Sequence, residues 1–375
     1  DKNNRDKLQA IDWEGRITDG PTHHGFDWYF GISASLDMPP YIFIENDHFV
    51  GRCTVKKTLY HKRIGPAAPD FTAEKVLPTF KQKAVEYIAR QVPGKPFFLY
   101  LALNSPHTPI APSKEWIGKS GLGKYGDFVM QTDAAIGEVI KAVDRAGLRE
   151  NTLIIVTSDN GCSPAANVRQ LTKLGHYPSA QFRGYKSDLW EGGHRIPFIV
   201  RWPRVVKAGT ICRQTICQVD FMTTCADILG IRLPLDAAED SVSFYPALKG
   251  EKIKTQRQGI VHHSIDGFFA YRIGPWKLLL AHGSGGWGSP REAEAIKLGL
   301  PKAQLYNLDE DISEKRNLYS EQSPVVKQLL GALEKDVTRG RSTPGPTMHN
   351  DIPDIVLWKK PRQPRRRKAI TQGKK

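Results

Sequence analysis

The sequence lacks any long hydrophobic run. No uninterrupted apolar stretch approaches the roughly 18 residues that a bilayer-spanning helix needs, so no transmembrane segment is predicted. The first residues, Asp1 to Arg5, also lack the apolar core of a signal peptide. A mature or incomplete chain would share that absence, so it does not by itself assign a compartment.

Cysteine is scarce and has no metal-binding spacing. The five cysteines are Cys53, Cys162, Cys212, Cys217 and Cys225, and none of them forms a Cys-x-x-Cys pair. A structural zinc site is therefore not predicted. Cys212 and Cys217 lie near each other in sequence, but spacing alone does not show a disulfide, and the redox compartment stays open.

Acidic residues are absent from the carboxyl end. The formal net charge is +15, yet nine Lys or Arg residues and no acid lie between Lys359 and Lys375, which leaves 15 − 9 = +6 for the rest of the chain. We therefore predict no nucleic-acid partner. We predict instead that residues 341–375 form a basic, disordered tail with a general affinity for polyanions or acidic surfaces.

The apolar patterns alternate between strand and helix. Helical spacing is found over Thr79–Gln91 and from Phe128 to Val143, where Gly147 ends the second helix. Continuous apolar runs predict buried strands at Pro96–Leu103, Leu153–Thr157 and Pro197–Arg201, and another helix near Phe221–Leu229. This order predicts an α/β domain with a parallel sheet over residues 1–232.

The texture changes after about Leu233. Strands are predicted at Gly259–His263, Phe268–Ile273 and Trp276–Leu280, the last two as a hairpin around Gly274-Pro275, with a helix near Pro324–Val337. Residues 233–340 are therefore predicted to form a smaller α+β domain with an antiparallel sheet.

Asp159 and Asn160 follow the predicted strand Leu153–Thr157 directly. A carboxylate and a carboxamide at the carboxyl end of a strand suit a hard cation such as Ca²⁺ or Mg²⁺. The simpler interpretation is that Asp-Asn-Gly only makes a turn. Two other segments favour the metal interpretation.

Two further polar side chains follow or precede predicted strands. His107 lies between Pro106 and Pro109 after the strand Pro96–Leu103, as a structural residue or a catalytic imidazole. Lys186 lies in a glycine-rich, charged stretch, as a solvated residue or as one that holds an oxyanion. Glu191 and Arg195 are interpreted as a structural ion pair.

Three motifs in this order resemble the sulfatase family, specifically the arylsulfatases of the alkaline-phosphatase superfamily. They are Ser105-Pro106-His107-Thr108-Pro109, Thr157-Ser158-Asp159-Asn160-Gly161 and the segment from Lys186 to Pro197. Weaker matches lie at Pro21–Asp27, Phe244–Gly250, Trp276–Leu278 and Leu305–Leu308. The resemblance implies an alkaline-phosphatase-like, mostly parallel sheet flanked by helices, followed in the chain by the smaller C-terminal α+β domain.

The resemblance also implies a role for each matching residue. Asp159 and Asn160 would ligate Ca²⁺. His107 would donate a proton or hydrogen bond to the leaving-group oxygen, and Lys186 would contact the sulfate. Calcium-assisted hydrolysis of a sulfate ester is the expected activity, and a periplasmic or secreted location follows family habit.

The sequence departs from the family at its amino-terminal side. It contains no Cys-x-Pro-x-Arg or Ser-x-Pro-x-Arg segment, whose Cys or Ser is the precursor of the formylglycine nucleophile; Cys162-Ser163-Pro164-Ala165-Ala166 lacks the arginine. The paired aspartates that complete the calcium site are also absent upstream of Asp19. We therefore expect this chain to be a portion of a longer sulfatase that is neither stable nor active alone.

Two alternatives remain from the sequence. A phosphodiesterase or phosphonate hydrolase of the same superfamily would use similar chemistry, and a non-catalytic protein could bind polyanions through basic loops. The substrate also stays open among aryl sulfates, sulfated polysaccharides and glycosaminoglycan sulfates. Aromatic residues in loops that could stack on such a ligand are Trp28, Tyr29, His176, Tyr177 and Trp287.

Overall fold

A computed structural model describes residues 10–254 and 257–360. The chain divides into two compact units. The first unit contains the chain up to Ile154, together with Ser163–Tyr177 and Trp202–Arg204. The second unit contains Ile155–Cys162, Pro178–Arg201 and the chain from Val205 onward. Among the described residues, no helix is both long enough and apolar enough to cross a membrane.

The first unit opens with five short strands, in a region where the sequence pattern predicts no helix or strand. They are β1 (Phe30–Ile32), β2 (Phe43–Glu45), β3 (His48–Phe49), β4 (Val55–Thr58) and β5 (Ile64–Ala67). β1, β2 and β3 form one antiparallel sheet and β4 pairs with β5 in another. None exceeds four residues, so none offers the periodicity that a sequence pattern needs.

Two long helices contribute to the core of the first unit. They are α1 (Ala73–Ala89) and α2 (Gly123–Arg145), which confirm the helical spacing in the sequence. Leu77 of α1 and Phe128 of α2 are almost fully buried in one apolar cluster, and Ile88 and Val143 in another. α2 ends because Gly147 adopts a left-handed backbone conformation (φ 71°), which a side chain would disfavour. A short helix, α3 (Val168–Lys173), completes this unit.

The strand predicted at Pro96–Leu103 is wrong. The structure assigns no strand there, and no strand of the described chain pairs with this segment. Phe98 is 57% exposed and Tyr100 is 72% exposed, while Leu99 packs against the cluster around Ile88. Apolar residues make a strand only where a neighbouring strand supplies the ladder of hydrogen bonds.

The second unit is built on a four-stranded antiparallel sheet, as predicted for its carboxyl-terminal part. Its strands are β8 (Ile260–His263), β9 (Phe269–Ile273), β10 (Trp276–Leu279) and β11 (Gln304–Asn307), in the order β11-β10-β9-β8. The predicted hairpin pairs Trp276 with Ile273. Tyr271, Leu278 and Leu305 of this sheet bury one face against Leu329 and Leu333 of helix α8 (Ser323–Arg339).

The remaining elements of the second unit are short. Strand β6 (Ile154–Thr157) and strand β7 (Phe198–Arg201) confirm two predicted strands and pair as a two-stranded sheet. The helices are α4 (Glu191–His194), α5 (Asp220–Leu229), α6 (Tyr245–Leu248) and α7 (Glu292–Lys297). Ile199 of β7 is 62% exposed, so this strand is not buried on both faces as its apolar run predicts.

The predicted basic tail begins inside the described structure. Arg341 is buried and donates to the carbonyl oxygens of Leu235 and Pro346, at 3.0 and 3.2 Å, and Ser342 and Thr343 are also buried. The positions from 361 to 375, which carry most of the predicted tail charge, lie outside the described residues.

Taken together, the helices and strands of the two units give a mixed α/β fold with antiparallel sheets.

Candidate active site

Asp159 and Asn160 lie in the turn that directly follows β6, as predicted. Asp159 is exposed, and its carboxylate has no hydrogen-bond or ion-pair partner among residues 10–254 and 257–360. Asn160 is half-buried, and its side-chain nitrogen donates to the carbonyl oxygen of Gly161 at 3.0 Å. That hydrogen bond orients the carboxamide and leaves its oxygen available as an acceptor. The turn therefore presents two oxygen ligands to solvent.

Close backbone packing holds this turn in place. The Gly161 N–H donates to the carbonyl oxygen of Gly193 at 3.1 Å. A Cβ at Gly161 would overlap the carbonyl oxygen of Gly192, and Gly161 does not adopt a positive φ. Glycine is thus required here for close approach to α4 and not, as the sequence suggests, for the turn conformation.

Lys186 lies beside the same turn through its backbone. Its N–H donates to the carbonyl oxygen of Cys162 at 2.9 Å, and Cys162 lies two residues after Asn160. Its ammonium group makes no hydrogen bond or ion pair with any part of the chain that the structure describes. The second unit therefore brings the Asp159-Asn160 corner and the Lys186 backbone together, with the lysine charge unpaired.

The residue after Lys186 is in a strained conformation. Ser187 has φ 86°, a region that residues other than glycine rarely adopt and that costs about 1–3 kcal/mol. Its carbonyl oxygen accepts from the N–H of Ile265 at 3.1 Å and its hydroxyl accepts from the N–H of Trp287 at 3.0 Å. Strain of this kind persists only where surrounding contacts impose it, and it concentrates at functional sites.

Asp188 holds the Lys186 turn in place through backbone hydrogen bonds to its carboxylate. It is fully buried; one carboxylate oxygen accepts from the N–H of Tyr185 at 2.9 Å and the other from the N–H of Gly288 at 2.8 Å. Burial raises the pKa of Asp188, although these backbone donors oppose the rise. The sequence predicts neither the strain at Ser187 nor these anchors, because Trp287 and Gly288 lie 100 residues away.

Glu191 and Arg195 form the structural ion pair that the sequence predicts, within a larger buried cluster. Arg195 contacts Glu191 at 3.3 Å, and the fully buried ammonium of Lys277 lies 2.9 Å from Glu191 and 3.0 Å from Glu314. Burial opposes ionisation of Glu191, but the Lys277 ammonium and nearby guanidinium groups lower its pKa to about 2. Burial raises the pKa of Glu314. The sequence gives no sign that Lys277 and Glu314 belong here.

His107 lies in the first unit, whereas the other three predicted site residues lie in the second. It follows a segment that is not a strand, so it does not mark the end of one as predicted. Its Nδ1 lies 2.8 Å from the carbonyl oxygen of Thr108 and 3.4 Å from the hydroxyl of Ser35. If Nδ1 carries the proton in that contact with the carbonyl, Nε2 is an acceptor in the neutral ring and a donor in the charged ring.

Asn104 is a polar residue near His107 in the chain and is not among the predicted site residues. Both polar atoms of its side chain are buried, and neither has a hydrogen-bond partner in the described structure. Buried amides almost always have partners. The sequence could have identified Asn104, because this residue begins the polar segment that contains His107.

The donors at the Asp159-Asn160 corner fit calcium in kind but not in number. A carboxylate and a carboxamide oxygen are hard ligands, whereas Ca²⁺ takes six to eight oxygens. In the described ranges, 10–254 and 257–360, no group of three or more His, Cys, Asp or Glu side chains could hold a metal ion. The corner can therefore supply part of a calcium site.

Comparison with known proteins gives one consistent family. A family model described as Sulfatase matches residues 9–231. The chain is 33% identical, over 88% of its length, to an N-acetylgalactosamine-6-O-sulfatase of Bacteroides thetaiotaomicron, of which it covers 72%. It is 29% identical, over 78% of its length, to human arylsulfatase D, of which it covers 51%.

A solved structure gives the same result for the fold. A sulfatase structure from Bacteroides thetaiotaomicron, described in connection with the metabolism of multiple glycosaminoglycans, matches with a TM-score of 0.75 at 31% identity. The match covers 88% of this chain and 76% of that one. The chain thus spans about half to three-quarters of the length of these relatives.

Proposed function

The chain belongs to the sulfatase family, and we propose that it carries the sulfate-facing part of a sulfuric ester hydrolase. The observation that supports this most is the Lys186 turn. Its backbone is fixed by hydrogen bonds from both sides, yet its ammonium is left unpaired. A cation held ready for an anion is what stabilises charge on a sulfuryl group in its transition state.

The other three residues have complementary roles in this proposal. Asp159 and Asn160 would contribute two of the oxygen ligands of a Ca²⁺ ion, which supplies Lewis acidity toward a sulfate oxygen. His107 would donate a proton or hydrogen bond to the ester oxygen as the alcohol leaves. The nucleophile would be a formylglycine, for which this sequence contains no precursor motif.

We further propose a sulfated carbohydrate as the substrate. The support is the relative named N-acetylgalactosamine-6-O-sulfatase, which is 33% identical over most of this chain. The alkaline-phosphatase-like sheet and a periplasmic or secreted location belong to the same proposal, since both follow from the family alone.

Complementation tests the proposed activity. The chain would be co-expressed with a sulfatase segment that carries the paired aspartates and an oxidised Cys-x-Pro-x-Arg motif. Release of inorganic sulfate from N-acetylgalactosamine 6-sulfate would be measured with and without Ca²⁺. We expect calcium-dependent release that falls by at least about 100-fold in Lys186→Ala, as for loss of one transition-state donor. The matched control, Lys302→Ala, changes a lysine elsewhere in the second unit and should release sulfate at the unaltered rate.

The same experiment separates the alternatives. Faster release of 4-nitrophenol from bis(4-nitrophenyl) phosphate than of sulfate would favour a phosphodiesterase. Binding of a sulfated polysaccharide that weakens with salt, ignores Ca²⁺ and survives Lys186→Ala would favour a non-catalytic polyanion-binding protein.

A further inference from the structure

The loop from Gly283 to Gly288 is a built structure and not a loose connection. The N–H groups of Gly283 and Gly285 both donate to one carboxylate oxygen of Glu292, at 2.8 and 3.1 Å. The hydroxyl of Ser284 donates to the carbonyl oxygen of Gly288 at 2.8 Å. These contacts are buried, so they fix the loop backbone from within.

The loop is also fastened to the Lys186 turn. Trp287 donates its N–H to Ser187, and Gly288 donates its N–H to Asp188. Gly286 packs so closely that a Cβ there would overlap the carbonyl oxygen of Ser187. The backbone of Trp287 is therefore held one residue away from Lys186.

The side chain of Trp287 contrasts with its backbone. It is 44% exposed, and within the described residues its indole N–H has no acceptor and its ring no aromatic or cationic partner. A tryptophan that packed for stability would bury most of its large apolar surface. The backbone that carries the ring is already fixed, so a ligand that covers the ring has to order only the side-chain torsions of Trp287.

Ile265 is a second exposed apolar residue whose backbone is bonded to Ser187. It is 58% exposed, and its N–H is bonded to the carbonyl oxygen of Ser187. The backbones of two exposed apolar residues are thus bonded to Ser187, the residue that follows Lys186. A ligand with an anionic group at Lys186 and an apolar face nearby would satisfy both features.

We propose that Trp287 is a specificity-determining residue on which the pyranose ring of a carbohydrate sulfate stacks while its sulfate faces Lys186. This inference rests on the sulfate-ester function proposed above. The C–H face of a sugar ring is apolar, so covering the indole with it removes apolar surface from water. Inorganic sulfate would gain nothing from this contact.

Titration calorimetry on the chain co-expressed with the complementing sulfatase segment tests the inference. The probes are N-acetylgalactosamine 6-sulfate, unsulfated N-acetylgalactosamine and sodium sulfate. Trp287→Ala should weaken binding of the sulfated sugar by roughly tenfold, a loss typical of an aromatic contact, and change binding of inorganic sulfate by less than about twofold. Trp287→Phe should keep most of the sugar affinity. Lys186→Ala should weaken both sulfated probes.

The control is Trp358→Ala, which removes a tryptophan of similar accessibility (36% exposed) from another place in the second unit. It should leave all three affinities unchanged, and thermal unfolding of each variant checks that it is folded. If Trp287→Ala binds the sulfated sugar like the unaltered chain, or loses inorganic sulfate equally, the inference fails while the Lys186 result still supports the proposed function. If the unaltered chain binds neither sulfated probe, both proposals fail together.

Discussion

Two regions of the second unit treat their charged side chains in opposite ways: the buried cluster around Lys277, and the turn that carries Asp159 and Lys186. In the buried cluster, Lys277 contacts two carboxylates and is completely shielded from water. At the turn, Lys186 and Asp159 are accessible to solvent, and neither side-chain charge has a partner in the described chain. Both regions contain a lysine and at least one acidic residue, so their charges alone do not distinguish them. Pairing and burial do.

This difference separates what holds the fold from what binds a ligand. A buried charge has lost its hydration and needs protein partners, so removing one partner is costly. An exposed charge keeps its hydration and contributes little to stability. The comparison predicts a graded series of effects, large in the buried cluster and negligible at the turn.

The largest effect is expected from Lys277→Met, which keeps the volume of the side chain and removes its charge. It would leave Glu191 and Glu314 buried without the ammonium, so the free energy of unfolding should fall by about 3–5 kcal/mol. Urea denaturation measures it. Arg195→Met is the matched control, because Arg195 contacts the same Glu191 from a more exposed position and should cost less than about 1 kcal/mol. Equal losses in the two variants would remove the distinction.

The second effect is a loss of stability in acid. His194 and His262 pack with ring centroids 4.3 Å apart, and the Nε2 atom of each is buried without a partner. Burial, with the Lys277 ammonium next, lowers the pKa of His194 to about 4 against an opposing effect of Glu191. The pKa of His262 is lowered by burial and by His194, Lys277 and His263.

Since the unfolded chain binds these protons and the folded chain does not, stability should be full above pH 6.5 and fall as the pH drops toward 4. For His194 alone the fall is about 3 kcal/mol. Unfolding free energies between pH 7 and 4 should therefore decline less steeply in His194→Gln. His176→Gln, at an exposed position, should keep the original slope. The raised pKa of Glu314 has the opposite effect, because it lowers stability as the pH rises above the ordinary pKa of a glutamate. Glu314 is present in both proteins, so its contribution cancels when His194→Gln is compared with the unaltered chain. Parallel slopes for His194→Gln and the unaltered chain would contradict the prediction.

A smaller effect is expected from Gly161→Ala, which tests the contact between the two regions. The added methyl group would overlap the carbonyl oxygen of Gly192 at the start of α4, so we expect a loss of about 1–3 kcal/mol. Gly137→Ala is the control, because Gly137 lies within α2 with open space around it and should gain about 0.5–1 kcal/mol. Thermal unfolding of both variants measures the difference, and a neutral Gly161→Ala would show that the turn can move away.

Much of this arrangement was accessible from the sequence. Helical periodicity placed the long helices, and apolar runs placed β6, β7 and the C-terminal hairpin, because those patterns are local. The position of Asp159 and Asn160 after β6 followed from the same reasoning. The roles of all four site residues remain predictions.

The rest depends on contacts between distant parts of the chain. Phe98 and Tyr100 have the composition of a strand, but pairing, which composition does not encode, decides whether a strand forms. The anchoring of Ser187 by Trp287 joins residues 100 positions apart, and no local pattern announces it. Lys277 and Lys186 likewise differ in role because one is buried and the other is accessible to solvent. Burial depends on the whole fold and not on the local sequence.

The smallest effect on stability, and the sharpest test of the comparison, is expected from Lys186→Ala and Asp159→Ala. Neither side chain has a partner to lose in the described structure, so the free energy of unfolding should change by less than about 0.5 kcal/mol in each. Their effects should appear only with ligand. Sodium sulfate should raise the midpoint of thermal unfolding for the unaltered chain and Asp159→Ala but not for Lys186→Ala. In the presence of the complementing sulfatase segment, which carries the paired aspartates, CaCl₂ should raise it for Lys186→Ala but not for Asp159→Ala. A loss of several kcal/mol without ligand would place these residues with Lys277 among those that hold the fold.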